Sequence, residues 1–248
     1  MGNPIPTFPI RPPGSKAVAC QNCSLNAFCL PKGLNRDELE QLEDSIQKNV
    51  KLGKKDYLFR RADPQNHIYA VKSGAIKTSL STPEGEEQIL GFFLPGDLLG
   101  FDAFANDAHT CDARALDDTL LCKLNVDDFN TLMGQLPNLR GQMMRKFGCE
   151  IEREQTLSLI LGQMNTQARL ATFLVSMSRR NQVRGFAPRE FALPMPRHDL
   201  ANYLGMAVET LSRLFSRFQE EGIISVALRQ ISINDMKRLN ALAHHTCH

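Results

Sequence analysis

His198-Asp-Leu-Ala-Asn-Tyr-Leu-Gly-Met-Ala-Val-Glu-Thr-Leu-Ser-Arg-Leu-Phe-Ser-Arg-Phe-Gln-Glu-Glu-Gly-Ile-Ile224 is the stretch from which the rest of the chain becomes readable. Leu200, Ala201 and Leu204 mark the inward face of a first helix, and Val208, Leu211, Phe215 and Phe218 that of a second, because residues three or four apart share a helix face. Gly205 lies between the two. Two short helices joined by a tight turn containing glycine form a helix-turn-helix. Ile223 to Val226 and Arg229 to Ile233 then read as a hairpin, so the unit is expected to be winged.

With the inward face removed, Glu209, Thr210, Ser212, Arg213, Ser216 and Arg217 remain outside on the second helix. A recognition helix needs polar residues at base edges and basic ones near phosphates. Arg213 can pair bidentately with guanine, Glu209 can accept from a cytosine amino group, and Ser212 can reach a base or methyl edge. Arg217, and Arg197 at the entry to the first helix, complete the set expected to contact DNA. The competing role is local: Glu209 and Arg213 are four apart, a spacing worth only ~0.2–0.5 kcal/mol as a surface ion pair. The helix-turn-helix context favours DNA.

Working upstream, a helix is expected from about Thr166 to Arg179, and Phe186 to Met195 alternates like a strand pair around Pro188-Arg189-Glu190. From Pro137 the pattern is helical for about 25 residues. Arg140, Met144, Phe147, Ile151, Glu154, Ser158 and Leu161 follow the 4-and-3 steps of a coiled-coil seam, which predicts a dimerisation helix. Charged and polar members weaken that seam. In a parallel pair each Glu154 would face its own copy, so the dimer should be weak enough to switch. Packing of this helix on its own domain is the alternative that the periodicity leaves open.

Between Lys51 and Val126 the chain has short apolar runs, Ile68–Val71, Ala75–Thr78, Gln88–Leu94 and Thr119–Leu124, separated by Ser73-Gly74, Pro83-Glu84-Gly85 and Pro95-Gly96-Asp97. Regularly spaced strands with glycine turns predict an antiparallel barrel or roll. Before them, Asn35 can cap a helix with Glu38 three residues on and Leu39, Leu42 and Ile46 on its apolar face. The fold class is therefore α+β. Residues 1–34 form a cysteine-rich leader, 35–136 a β-roll, 137–163 the dimer helix and 164–248 the winged domain.

The chain has 248 residues, a net charge of +2 and no run of roughly 18 apolar residues that could span a bilayer. No signal-peptide core appears in the proline-rich segment Pro4 to Pro13, so the expected location is cytoplasmic and no membrane partner is expected. Near-neutrality hides a division: residues 151–248 hold 12 basic and 8 acidic residues, net +4, while Glu84–Asp128 holds eleven carboxylates against Arg114 and Lys123. No nucleophile-and-base set, paired catalytic carboxylates or glycine-rich phosphate loop is recognisable, so an enzyme is not expected.

Seven cysteines in a reducing compartment point to metal or reactive thiols before disulfides. Cys20-x2-Cys23-x5-Cys29 sits in a loop flanked by Pro13 and Pro31, where clustered thiolates need a cation to neutralise them. No second close pair completes a zinc site. The fourth ligand has to come from Cys111, Cys122, Cys149, Cys247 or a histidine, and Cys122 alone reads equally as a small buried hydrophobe. The tail His244-His245-Thr246-Cys247-His248 reads as a frayed end.

Taken together, the cysteine pattern, Cys122, the long helix and Val208-Glu209-Thr210-Leu211-Ser212-Arg213 resemble the oxygen-sensing FNR/Anr branch of the CRP/FNR transcription regulators, over nearly the whole chain from Cys20 to about Ile233. The resemblance implies a cyclic-nucleotide-binding-like β-roll, a homodimer and a winged helix-turn-helix on palindromic TTGAT-type double-stranded DNA. It implies a [4Fe-4S] cluster on Cys20, Cys23, Cys29 and Cys122 with oxygen as the signal. It also implies an RNA polymerase contact at Gly85 and Glu86. Two departures stand out: Pro196 occupies the place of a Ser or Thr cap, and the turn Ala227-Leu228-Arg229-Gln230 lacks the glycine frequent there. The rival readings are a cyclic-nucleotide-dependent regulator and an iron-sulfur electron carrier. The first is opposed by His109-Thr110-Cys111-Asp112 standing where that site needs Arg-Ser.

Overall fold

The computed structural model describes residues 20–27 and 29–243. The Pro4 to Pro13 leader, Cys247 and the histidine tail lie outside them. Asn35 caps the first helix, α1 (Arg36–Ser45), in a reciprocal box: its side chain accepts from the Glu38 amide at 2.9 Å while Glu38 accepts from the Asn35 amide at 2.9 Å. Ile46, expected on that helix, instead begins the first strand.

The strands β1 (Ile46–Leu52), β2 (Tyr57–Phe59), β3 (His67–Ser73), β4 (Ile76–Ser81), β5 (Glu87–Phe93), β6 (Leu98–Leu99), β7 (Asp112–Ala115) and β8 (Thr119–Asn125) form two antiparallel sheets. Their orders are β1-β8-β3-β6 and β2-β7-β4-β5. Side chains alternate across a strand, so Val71, Leu99 and Leu121 enter the roll interior with Phe59, Ile76 and Phe93. Ile68, Ala70 and Leu124 point outwards instead, joining Leu42 of α1 and the cysteine loop in a second core.

Helix α2 (Val126–Gln135), capped by Asn125, leads to α3 (Pro137–Gln163), one helix of 27 residues. Leu139 and Met143 pack α3 on the outer core of the roll, and Leu157 and Ile160 pack its other end on the C-terminal domain. That domain comprises α4 (Thr166–Val183), β9 (Glu190–Ala192), α5 (Arg197–Tyr203), α6 (Val208–Glu220), β10 (Ile224–Ala227), β11 (Gln230–Ile233) and α7 (Met236–Leu242). The expected strand pair over Phe186–Met195 is a single three-residue strand, because Gly185 turns the chain at φ +73° and Phe186 is 51% exposed. It pairs with β11 rather than with itself.

Gly205 has φ +59°, and a Cβ there would sit 2.7 Å from the Leu161 side chain. The left-handed turn and the tight approach of α3 therefore both require glycine. At the wing, Leu228 adopts φ +56° and is 98% exposed. A leucine there accepts strain of ~1–2 kcal/mol. Leu228→Asn is expected to stabilise the protein by ~1 kcal/mol, seen as a higher urea midpoint at unchanged slope.

Candidate cluster pocket and nucleic-acid interface

Cys20 starts a short 3-10 turn, and the loop that follows is held by Asn26 Nδ2 to the Cys20 carbonyl (3.1 Å) and the Cys29 amide to the Leu25 carbonyl (2.9 Å). The Gln21 amide donates to Glu43 Oε1 of α1 at 2.8 Å, fastening the loop to the body. Cys122 is opposite Ala70 in the β8–β3 register and projects from the outer face of the sheet. Cys20, Cys23, Cys29 and Cys122 thus line one cavity of about 30 Å3, walled by Leu25, Leu30, Ile68 and Leu124. Cys111 lies in the roll interior beside Asp102, and Cys149 is exposed on α3.

Burial pushes the Cys20 thiol up to about 12, reinforced by repulsion from Cys122, Cys29, Glu43 and Cys23. Cys29 is likewise pushed up to about 12 by burial, partly offset by a backbone hydrogen bond and Lys146. Cys122 is raised by burial, with Lys72 pulling the other way. Burial in an apolar pocket thus holds Cys20, Cys29 and Cys122 in their thiol forms unless a cation enters. Among the described residues no group of three His, Cys, Asp or Glu side chains is placed to hold a single metal ion.

On α6, Leu211, Leu214, Phe215 and Phe218 are buried. Val208, expected inside, is the first residue of the helix and is 38% exposed. Leu214 takes the buried place instead. Glu209, Ser212, Arg213 and Arg217 all face solvent. The Ser212 hydroxyl donates to the Val208 carbonyl (2.9 Å), and Arg217 Nε donates to Glu221 (2.7 Å). Arg197 is turned inward, its guanidinium 3.4 Å above the Phe215 ring, and burial lowers its pKa. Pro196 sits at the cap position itself and offers no side-chain bond.

On α3, Met144 and Ile151 are 56% and 60% exposed, in one stripe with Leu159. Phe147 spends its ring on Phe101 in an edge contact at 5.0 Å, and Leu161 packs against the C-terminal core. Glu154 is exposed beside the stripe, its carboxyl raised by burial and by Glu150, with Arg153 opposing. Gly85 and Glu86 occupy the exposed tip of the β4–β5 hairpin, with Gly85 at φ +88°.

The sequence reading missed the residues that join the two domains. Asp97 of the Pro95-Gly96-Asp97 turn accepts from Arg180, and from Arg184 Nη2 at 2.7 Å. Buried Lys77 of β4 bridges Asp199 of α5 and Glu87, each at 3.0 Å. Asn202 caps the edge of β5 by accepting from the Ile89 amide (2.7 Å) and donating to the Glu87 carbonyl (2.6 Å). Arg169 gathers the carbonyls of Leu161, Met164, Leu204 and Gly205, tying the end of α3 to the helix-turn-helix turn. A lone buried charge in a sequence carries no mark of its partner, so only Asp97, directly after a Pro-Gly turn, had any local signal.

A roll, a long helix and a winged helix-turn-helix with an exposed polar recognition face define a DNA-binding transcription regulator, not an enzyme. Residues 49–135 match the cyclic nucleotide-binding domain family, and residues 168–242 the Crp-like helix-turn-helix domain family. The chain belongs to the FNR family of the CRP/FNR regulators. It is 46% identical to the anaerobic regulatory protein of Pasteurella multocida, covering 93% of this chain and 84% of that one. It is 43% identical to the fumarate and nitrate reduction regulatory protein of Escherichia coli K12, covering 94% and 93%. Among solved structures, FixK2 from Bradyrhizobium japonicum is similar at a TM-score of 0.74 and 27% identity, over 81% of this chain and 98% of that one.

Proposed function

We propose that the protein is an oxygen-responsive homodimeric regulator in which Cys20, Cys23, Cys29 and Cys122 hold a [4Fe-4S] cluster whose lability to oxygen supplies the signal. The observation that carries this is the convergence of those four sulfurs, and of neither Cys111 nor Cys149, on one apolar cavity. An all-thiolate donor set with only one close pair suits an iron-sulfur cluster better than a zinc site, whose ligands commonly come as two close pairs. Lys72 and Lys146 lie near enough to favour the thiolate forms.

Cys20 and Leu30 share the outer core with Leu139 and Met143 of α3. Fixing the loop therefore fixes the N-terminal half of α3, whose far side carries Met144 and Ile151. Releasing the loop loosens that half and the weak pairing along the stripe. In the paired state two α6 helices meet half-sites of a TTGAT-type palindrome about one helical turn apart. Glu209, Ser212 and Arg213 read bases, Arg217 contacts phosphate, and the Gly85–Glu86 hairpin tip contacts RNA polymerase.

Anaerobic reconstitution of Cys111→Ser and Cys122→Ser, followed by absorption spectra and iron counts, tests the ligand set. Four irons per chain are expected in the first variant and loss of the cluster in the second; the reverse would overturn the reading. A separate result is expected for Glu154→Ala, which removes a carboxylate beside the stripe. It should remain dimeric in air where the unsubstituted chain dissociates, and a monomer in sedimentation under oxygen would refute the switchable-seam account.

A cyclic-nucleotide-gated regulator is the second reading. Buried His109, stacked on Phe59 at 3.5 Å, and Asp102, bonded to His109 Nδ1 at 3.2 Å and to the Thr110 amide at 2.8 Å, place a carboxylate and a ring in the roll beside the stretch where a phosphate would need arginine. The hydrogen bonds from His109 and Thr110 outweigh burial and hold the Asp102 carboxyl below its ordinary value. An anionic nucleotide would be repelled there.

A further inference from the structure

A cavity of about 520 Å3 lies in the angle between the roll, α3 and α4, separate from both the cysteine pocket and the roll interior. Its size is that of a small-molecule site. Phe92, Phe173 and Tyr203 supply apolar walls, and Thr156 and Ser176 supply hydroxyls. Lys146, Arg153, Arg179, Arg180 and Arg184 line it against Asp97, Glu150 and Glu152.

The carboxylates are already engaged where it matters. Asp97 is taken by Arg180 and Arg184, and Glu150 by Arg153 at 3.1 Å. The Arg184 side chain is only 7% exposed, yet its Nη1 is buried without a hydrogen-bond partner, and Arg180 Nε is in the same state. Neither atom opens onto the cavity, so an anion there would meet the remaining faces of the lining guanidinium groups and not these two donors. Arg179 stands exposed at the rim.

Most of the α3 lining of the cavity faces away from the dimer stripe, while Phe147 and Glu152 bring the cavity to the flanks of the stripe. Lys146, Glu150, Arg153 and Ile160 fall on the face of α3 opposite Met144, Ile151 and Leu159, by the 3.6-residue period of the helix.

We propose that this cavity binds a small organic anion: a planar apolar body resting against the wall formed by the packed rings of Phe92, Phe173 and Tyr203, carrying a carboxylate or phosphate head that Arg179, Arg180 and Arg184 receive. Such a ligand braces α4 against the roll and so acts on the placing of the helix-turn-helix.

The chain contains no tryptophan, so Ser176→Trp at the cavity mouth gives a single reporter in the full-length protein. Benzoate and adenosine 5′-monophosphate are the two probes, with benzyl alcohol and adenosine as their neutral counterparts. At least one anion is expected to shift the emission saturably, and its neutral counterpart to bind at least tenfold more weakly. Arg179→Glu in the same background should weaken that anion tenfold or more. A response to benzoate alone assigns an aryl carboxylate, and a response to the nucleotide alone assigns a phosphate head. Calorimetry on the unsubstituted chain guards against the indole itself closing the cavity. Flat titrations by both methods, equal binding of charged and neutral probes, or an affinity indifferent to Arg179→Glu would overturn the proposal.

Discussion

Replacing Asp97 by alanine is expected to destabilise the protein by about 3–5 kcal/mol and to unfasten the C-terminal domain from the roll. The reason is what the substitution leaves behind. The Arg180 and Arg184 side chains are 19% and 7% exposed, and Asp97 is the carboxylate to which both are bonded. Arg184 Nε also reaches the Pro95 carbonyl at 2.8 Å, and Arg180 the Phe92 carbonyl at 2.9 Å. Two charges in apolar surroundings would thus keep only carbonyl partners. Urea unfolding should show a lowered midpoint, and protease cleavage near Gly185 should appear under native conditions. A midpoint within error of the unsubstituted chain would sink this account.

The same carboxylate makes a prediction about pH. Burial opposes its charge, but Arg180, Arg184 and Arg153 outweigh burial and hold it well below the usual carboxylate range. A lowered folded value means that its stabilisation is complete above the unfolded pKa of about 4 and is lost as pH falls through the folded value. The interdomain contact should therefore persist through mildly acidic conditions and weaken only below about pH 4. In Asp97→Asn that acid-dependent contribution should be missing.

Arg213→Ala should cause the largest loss of DNA affinity. A bidentate arginine–guanine pair contributes ~1–3 kcal/mol of discrimination. In a dimer on a palindrome the loss occurs twice, giving ~2–6 kcal/mol, or at least about 30-fold. Arg213 is exposed on α6, while Leu214 and Phe215 beside it are buried, so its removal leaves the domain folded. Anisotropy titrations should show both weaker binding and tolerance of substitution at one base pair in each half-site. Arg217→Ala provides the contrast. It should weaken all sequences alike and flatten the salt dependence by about one unit per copy. Its ion pair with Glu221 at 2.7 Å competes with phosphate, which makes this effect the smaller one. Unaltered selectivity in Arg213→Ala would remove it from the base-reading set.

What could be read without coordinates was the information that short stretches carry. The capping box at Asn35 and Glu38, the turn at Gly205 and the exposure of Glu209, Ser212 and Arg213 follow from hydrogen-bonding groups and helical period within a few residues. Reading failed where a partner from elsewhere decides. Val208 has the right spacing for a buried face, but at the first position of α6 it is left exposed. Phe147 and Leu161 keep the spacing of a seam, yet Phe101 and the C-terminal core claim them. The alternation over Phe186–Met195 yielded one short strand, and its partner is the distant β11 and not a neighbouring run.

The cysteines mark the boundary most sharply. By itself the sequence determined that three thiols, Cys20, Cys23 and Cys29, are neighbours, since only eight residues lie within that span. It left Cys111, Cys122, Cys149, Cys247 and the histidines open as partners. Tertiary structure sets them apart: sheet pairing puts Cys122 on the outer face of β8 against the loop, Cys111 faces the roll interior, and Cys149 sits exposed on α3. The physical reason is that a strand sends successive side chains to opposite faces. Which face meets a loop nearly a hundred residues away is settled by how the sheet packs.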